Sequence, residues 1–73
     1  MDFGKRLRSA RMQCGLTQQQ LADKIGATLR NYQCYEQGTR RPKYEMLVAI
    51  ADTVGVTTDW LLGRSDEAPS GGR

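Results

Sequence analysis

Apolar positions along the chain recur at three- and four-residue intervals, and no stretch alternates with period two. That pattern predicts helices and no strands. Phe3, Leu7, Ala10 and Cys14 fall on one face of a first helix, which Asp2 can cap. Lys5, Arg8 and Met12 fall mainly elsewhere, and Lys5, Arg6 and Arg8 read as its solvated side. Gly15 ends this helix, and Leu16 stands where an apolar residue before a cap packs on the fourth helical position, here Leu21. Leu21, Ala22 and Ile25 form a second apolar face behind Thr17 and Gln20, a Thr-x-x-Gln capping pattern. Gly26 stops that helix, and Thr28 offers another N-cap with Tyr32 and Tyr35 at i+4 and i+7. Gly38 closes the unit. Pro42 makes a loop of Thr39-Arg40-Arg41-Pro42-Lys43. Residues 44–54 give a fourth helix with Leu47, Ile50, Ala51 and Val54 inside. Thr57 opens a short fifth, with Asp59 near its positive end, Trp60 and Leu61 facing the core, and Leu62 outward.

The expected fold is therefore all-α: a compact five-helix domain over residues 1–63, followed by a flexible polar tail or linker start at 64–73. Its expected core is Leu7, Leu21, Ile25, Tyr32, Leu47, Ile50, Val54 and Trp60. Within it, residues 17–38 are two short helices joined by a tight turn, the second spanning about 28–37. Too short for an antiparallel pair, the turn should make them cross steeply. One face of the second helix then stays exposed: Leu29, Arg30, Gln33 and, less squarely, Cys34. An exposed helix start rich in amide and guanidinium groups fits a DNA major groove.

A chain of 73 residues is one domain. It holds no long apolar run, hence no membrane span, and its charged start is not a signal peptide, so the cytoplasm is the expected compartment. There is no His, no phosphate-binding glycine loop and no paired-carboxylate constellation, so neither an enzyme, a metal site nor a cofactor is expected. Cys14 and Cys34 read as reduced thiols. The net charge of +3 is unevenly spread. Residues 1–15 and 28–43 are each +3, whereas 44–73 are −3. A polyanion on one side of the fold suits that asymmetry.

The segments RLRSAR, GLTQQQLADKIG, YEQGTRRP, LVAIADTVGV and DWLLG, in this order and spacing, resemble the lambda-repressor-like helix-turn-helix family, of the Cro and phage-repressor type. The resemblance runs from about Phe3 to Gly63 and implies a five-helix domain whose third helix enters the major groove. It implies that Gln18 meets a phosphate at a helix N-terminus. Thr28, Leu29, Arg30, Gln33 and Cys34 would face base edges, and the loop from Gln37 through Arg40 and Arg41 to Lys43 would face the sugar-phosphate backbone. It also implies an ion pair between Arg11 and Glu36. Leu29 and Cys34 depart from the polar readers common in the family, and Lys43 stands where a capping residue often opens helix 4.

Residue chemistry orders these candidates. The fork of Arg30 matches guanine, Gln33 suits adenine or a phosphate, and the methyl of Thr28 or the side chain of Leu29 can meet thymine. Asn31 points sideways, towards solvent or phosphate, and Gln19 is a second-row candidate. The expected function is a sequence-specific duplex-DNA regulator, a repressor acting as a homodimer on a near-palindromic operator. Trp60 and Leu62 are candidates for the contact between copies, on the acidic side formed by helices 4 and 5. The alternative reading is an antitoxin that binds a toxin protein and represses its own promoter. An antirepressor is another candidate protein partner.

Overall fold

The computed structural model describes residues 3–64. They form α1 (Phe3–Gln13), α2 (Gln18–Ile25), α3 (Leu29–Gln37), α4 (Tyr44–Val54) and α5 (Thr58–Leu61), with no strand among the described residues. The proposed cap Asp2 and the tail beyond Arg64 lie outside the described residues. No described helix is long and apolar enough to cross a membrane.

Local chemistry sets the helix ends. Thr17 Oγ1 accepts the Gln20 N–H at 3.0 Å, and Gln20 Oε1 accepts the Thr17 N–H at 2.9 Å. This reciprocal box satisfies two donors, one of them among the N–H groups that a helix start leaves without partners. At the other end of α2, Gly26 adopts φ 75°, a left-handed conformation that a Cβ would strain. The Ala27 N–H then reaches back to the Ala22 carbonyl at 2.9 Å. Thr28 caps α3 and Thr57 caps α5 through their hydroxyls. Lys43, at the same position before α4, makes no side-chain cap.

Leu7, Leu21, Tyr32, Ile50 and Leu61 are fully buried, joined by Ala10, Ala22, Ile25, Tyr35, Ala51 and Val54. Burying one such large side chain stabilises by about 1.5–3 kcal/mol. For α5, a single turn too short to persist alone, Leu61 is the buried anchor. α3 packs against both α1 and α2, α2 also against α4, and α5 against α1 and α4. The region measures 29 × 22 × 20 Å.

Four expectations need correction. Leu47 and Trp60 are half-buried at the core's margin. Cys14 is exposed, because α1 stops at Gln13 and the chain turns away before another helical position forms. Its Sγ meets the Val54 carbonyl at 3.4 Å. Arg6 is not simply solvated: its guanidinium lies over the Trp60 ring at 4.9 Å and donates to the Trp60 carbonyl at 3.0 Å. Trp60 thereby serves as the link between α1 and α5.

Candidate nucleic-acid interface

α3 is held by its back and presents its front. Tyr32 and Tyr35 anchor it in the core, whereas Thr28 and Arg30 are exposed and Leu29, Asn31, Gln33 and Cys34 are half-buried. Two buried positions in a nine-residue helix restrict its roll, and polar contacts fix the remainder.

The centre of those contacts is Glu36. Arg11 Nε donates to its Oε2 at 2.7 Å, the Tyr32 hydroxyl donates to the same oxygen, and Gln18 Nε2 donates to Oε1 at 3.1 Å. These donors come from α1, α2 and α3, so one carboxylate ties all three together. Arg11 also donates to the Leu16 carbonyl at 2.8 Å, closing the connection into α2. Burial alone would raise the Glu36 carboxyl, but the hydrogen bonds from Arg11, Tyr32 and Gln18 outweigh it and hold Glu36 below the usual carboxylate range. Burial, then the hydrogen bond to Glu36, pushes the Tyr32 hydroxyl well above its ordinary value. For Arg11, burial opposes the charge and the contact with Glu36 prevails, so its value is raised.

The network continues outward. Gln33 Nε2 donates to Gln18 Oε1 at 3.2 Å, so the two amides stand side by side, one from each helix of the helix-turn-helix unit. Further along, Arg40 Nη1 donates to Asn31 Oδ1 at 3.1 Å and braces the cationic loop against α3. Gln37, Arg40, Arg41 and Lys43 are all exposed. Gln19 is turned to its own helix, donating to Asp23 Oδ1 at 2.9 Å. Leu62, directly after α5, is 45% exposed, whereas Trp60 is half-buried under Arg6.

Sequence reading missed Gly4. A Cβ there would lie 2.0 Å from the Glu36 carbonyl oxygen, so the start of α1 meets the end of α3 backbone to backbone. An uncapped-looking glycine inside a helix pattern was the available signal. It also missed the hydroxyl of Tyr32, whose i, i+4 spacing to Glu36 was visible. The Gln18–Gln33 contact carried no local signal at all. Among the described residues no group of three or more His, Cys, Asp or Glu gathers that could hold a metal.

Residues 4–67 match the family model described as a helix-turn-helix domain. An uncharacterized HTH-type transcriptional regulator of Bacillus subtilis, YqaE, is 44% identical over 66 residues, covering 89% of this chain and 57% of that protein. The B. subtilis HTH-type regulator ImmR is 36% identical, covering 90% and 52%. The CTXphi transcriptional repressor RstR of Vibrio cholerae serotype O1 is 42% identical, covering 88% and 57%. The chain thus spans just over half the length of these relatives. In structure it superposes on the P22 c2 repressor solved with a synthetic operator, with a TM-score of 0.84 at 23% identity, covering 89% of this chain and 98% of that one. Sequence match and shared fold agree: the chain belongs to the helix-turn-helix family of transcriptional regulators, in its lambda-repressor-like, XRE-type branch.

Proposed function

We propose that this protein is a sequence-specific duplex-DNA-binding repressor, acting as a dimer on a near-palindromic operator. The observation that carries the reading is the exposed start of α3, held in one orientation by Arg11, Glu36, Tyr32 and Gln18. Relatives named as transcriptional repressors, and a fold shared with an operator-bound repressor, support it. In this reading Arg30, Gln33, Thr28, Leu29 and Cys34 face base edges in the major groove. Gln18, Gln37, Arg40, Arg41 and Lys43 meet phosphates, with Asn31 and Gln19 beside them. Leu62, with the edge of Trp60, contributes to the contact between copies. Repression follows by occluding a promoter.

The test is selection from a random duplex pool at about 150 mM salt, where nonspecific electrostatic binding is weakened. A two-fold symmetric motif with half-sites about one helical turn, roughly 10 base pairs, apart is the expected result. An unsymmetric single half-site refutes the dimer. No enrichment, with binding that vanishes as salt rises, refutes sequence-specific recognition.

A further inference from the structure

Resting on that DNA-binding reading, we infer that the footprint extends beyond the helix-turn-helix unit onto α1, where Arg8, backed by Lys5, forms an additional phosphate contact. Arg8 lines an open cleft of about 600 Å³ together with Arg11, Thr17, Gln18, Glu36 and Gln37. The cleft therefore joins the start of α2, the end of α3 and the outer side of α1. Its two formal charges besides Arg8 already neutralise each other, since Arg11 and Glu36 are paired at 2.7 Å. Both Glu36 oxygens are occupied, Oε1 by Gln18 and Oε2 by Arg11 and Tyr32. Arg8 is exposed, and among the described residues no hydrogen bond or ion pair engages it. It thus supplies the cleft's uncompensated positive charge.

The same Arg8 also lines a second shallow cleft with Lys5, Ser9, Met12 and Gln13. Lys5, Arg8 and Met12 stand at i, i+3 and i+7, one stripe of α1. A strand whose phosphate sits against Gln18 and Gln37 can continue along this stripe, past Arg8 to Lys5. A phosphate contact reads no base, so its contribution is independent of sequence and dependent on salt.

The experiment measures binding constants against salt concentration for the wild-type protein, Arg8→Gln, Lys5→Gln and a charge-matched control, Lys24→Gln at the far end of α2. Two probes are used: the duplex enriched by selection and a random-sequence duplex of equal length. Thermal unfolding confirms that each variant is folded. Arg8→Gln is expected to weaken both probes by a similar factor and to lower the magnitude of the log–log salt slope by about 0.9, the value of one phosphate contact. Lys5→Gln should give a smaller loss of the same kind, and Lys24→Gln none. An unchanged slope in Arg8→Gln overturns the inference, as does an equal fall in Lys24→Gln, which would mean net charge alone. A loss confined to the enriched duplex also overturns it. If the wild-type protein binds neither probe, the DNA-binding reading itself fails, and the role of Arg8 falls with it.

Discussion

Glu36 receives donors from three different helices, and its removal is correspondingly expensive. Its side chain is 7% exposed and that of Arg11 13%. Glu36→Ala leaves a largely buried guanidinium without its partner and should cost about 3 kcal/mol, measured by urea unfolding. The pH dependence has a definite sign. The folded-state value of Glu36 lies below its ordinary 4.5, so its stabilisation is complete above that value and is lost as pH falls through the folded one. Unfolding midpoints taken on descending from about pH 6 should show this acid limb in the wild-type protein and a flatter one in Glu36→Gln. Gly4 is the other residue with no substitute. In an open helix Gly→Ala stabilises by up to about 1 kcal/mol. Here the new Cβ meets backbone at 2.0 Å, so Gly4→Ala should destabilise, by about 2–3 kcal/mol, and α1 should shift from α3. A gain in thermal midpoint would show that the two helices separate without cost.

At the scale of elements, α2 and α3 carry side-chain caps at their starts and α4 does not. Lys43 leaves the first turn of α4 without a side-chain cap, a weakness that its cation offsets if it meets a phosphate. Lys43→Ser should therefore stabilise the domain by about 0.5–1 kcal/mol while lowering the salt slope of DNA binding by about 0.9. A gain in stability with unchanged slope would remove Lys43 from the interface. The two parts of the site are separable in the same way. Arg30→Ala, on the exposed face of α3, should lose about 1–3 kcal/mol of discrimination at one base pair in each half-site. Arg41→Ala, in the loop, should weaken all sequences alike. If both variants lower binding uniformly, Arg30 contacts phosphate only. In the proposed function the braces around α3 prepare a nine-residue helix to read bases: Gln18 holds Gln33, and Arg40 holds Asn31, so two of its polar side chains are oriented in advance.

For the whole molecule, charge and burial divide the surface. The basic segments comprise α1, α3 and the loop that follows α3, and the net-negative part of the chain begins at α4. The proposed dimer, formed through α5, would keep that negative side off the DNA. Leu62, 45% exposed directly after α5, is an apolar residue placed for that dimer contact. Leu62→Asp should change folding stability by no more than about 0.5 kcal/mol, as a surface substitution does. It should nonetheless abolish cooperative filling of the two half-sites, read by sedimentation and gel shift on a duplex carrying both. Retained cooperativity would move the contact between copies elsewhere.

Most of what neighbours along the chain set was legible in the sequence, the Tyr32–Glu36 hydrogen bond and the end of α1 before Cys14 being the exceptions. The capping box at Thr17, the caps at Thr28 and Thr57, the left-handed stop at Gly26 and the apolar stripes of α2 and α3 each depend on residues within one or two turns. The order of the motifs was enough to indicate the family and to suggest Arg11 with Glu36. What tertiary structure alone decided involves residues brought together from afar. Gln18 joins Gln33 across fifteen positions, and Arg6 covers Trp60 across fifty-four. Gly4 is needed only because Glu36 arrives beside it, and Arg8 becomes part of a cleft only when the outer side of α1 and the start of α2 converge with the end of α3. Periodicity states which face of a helix is buried. It does not state what lies against that face, because the partner is chosen by packing of the whole core.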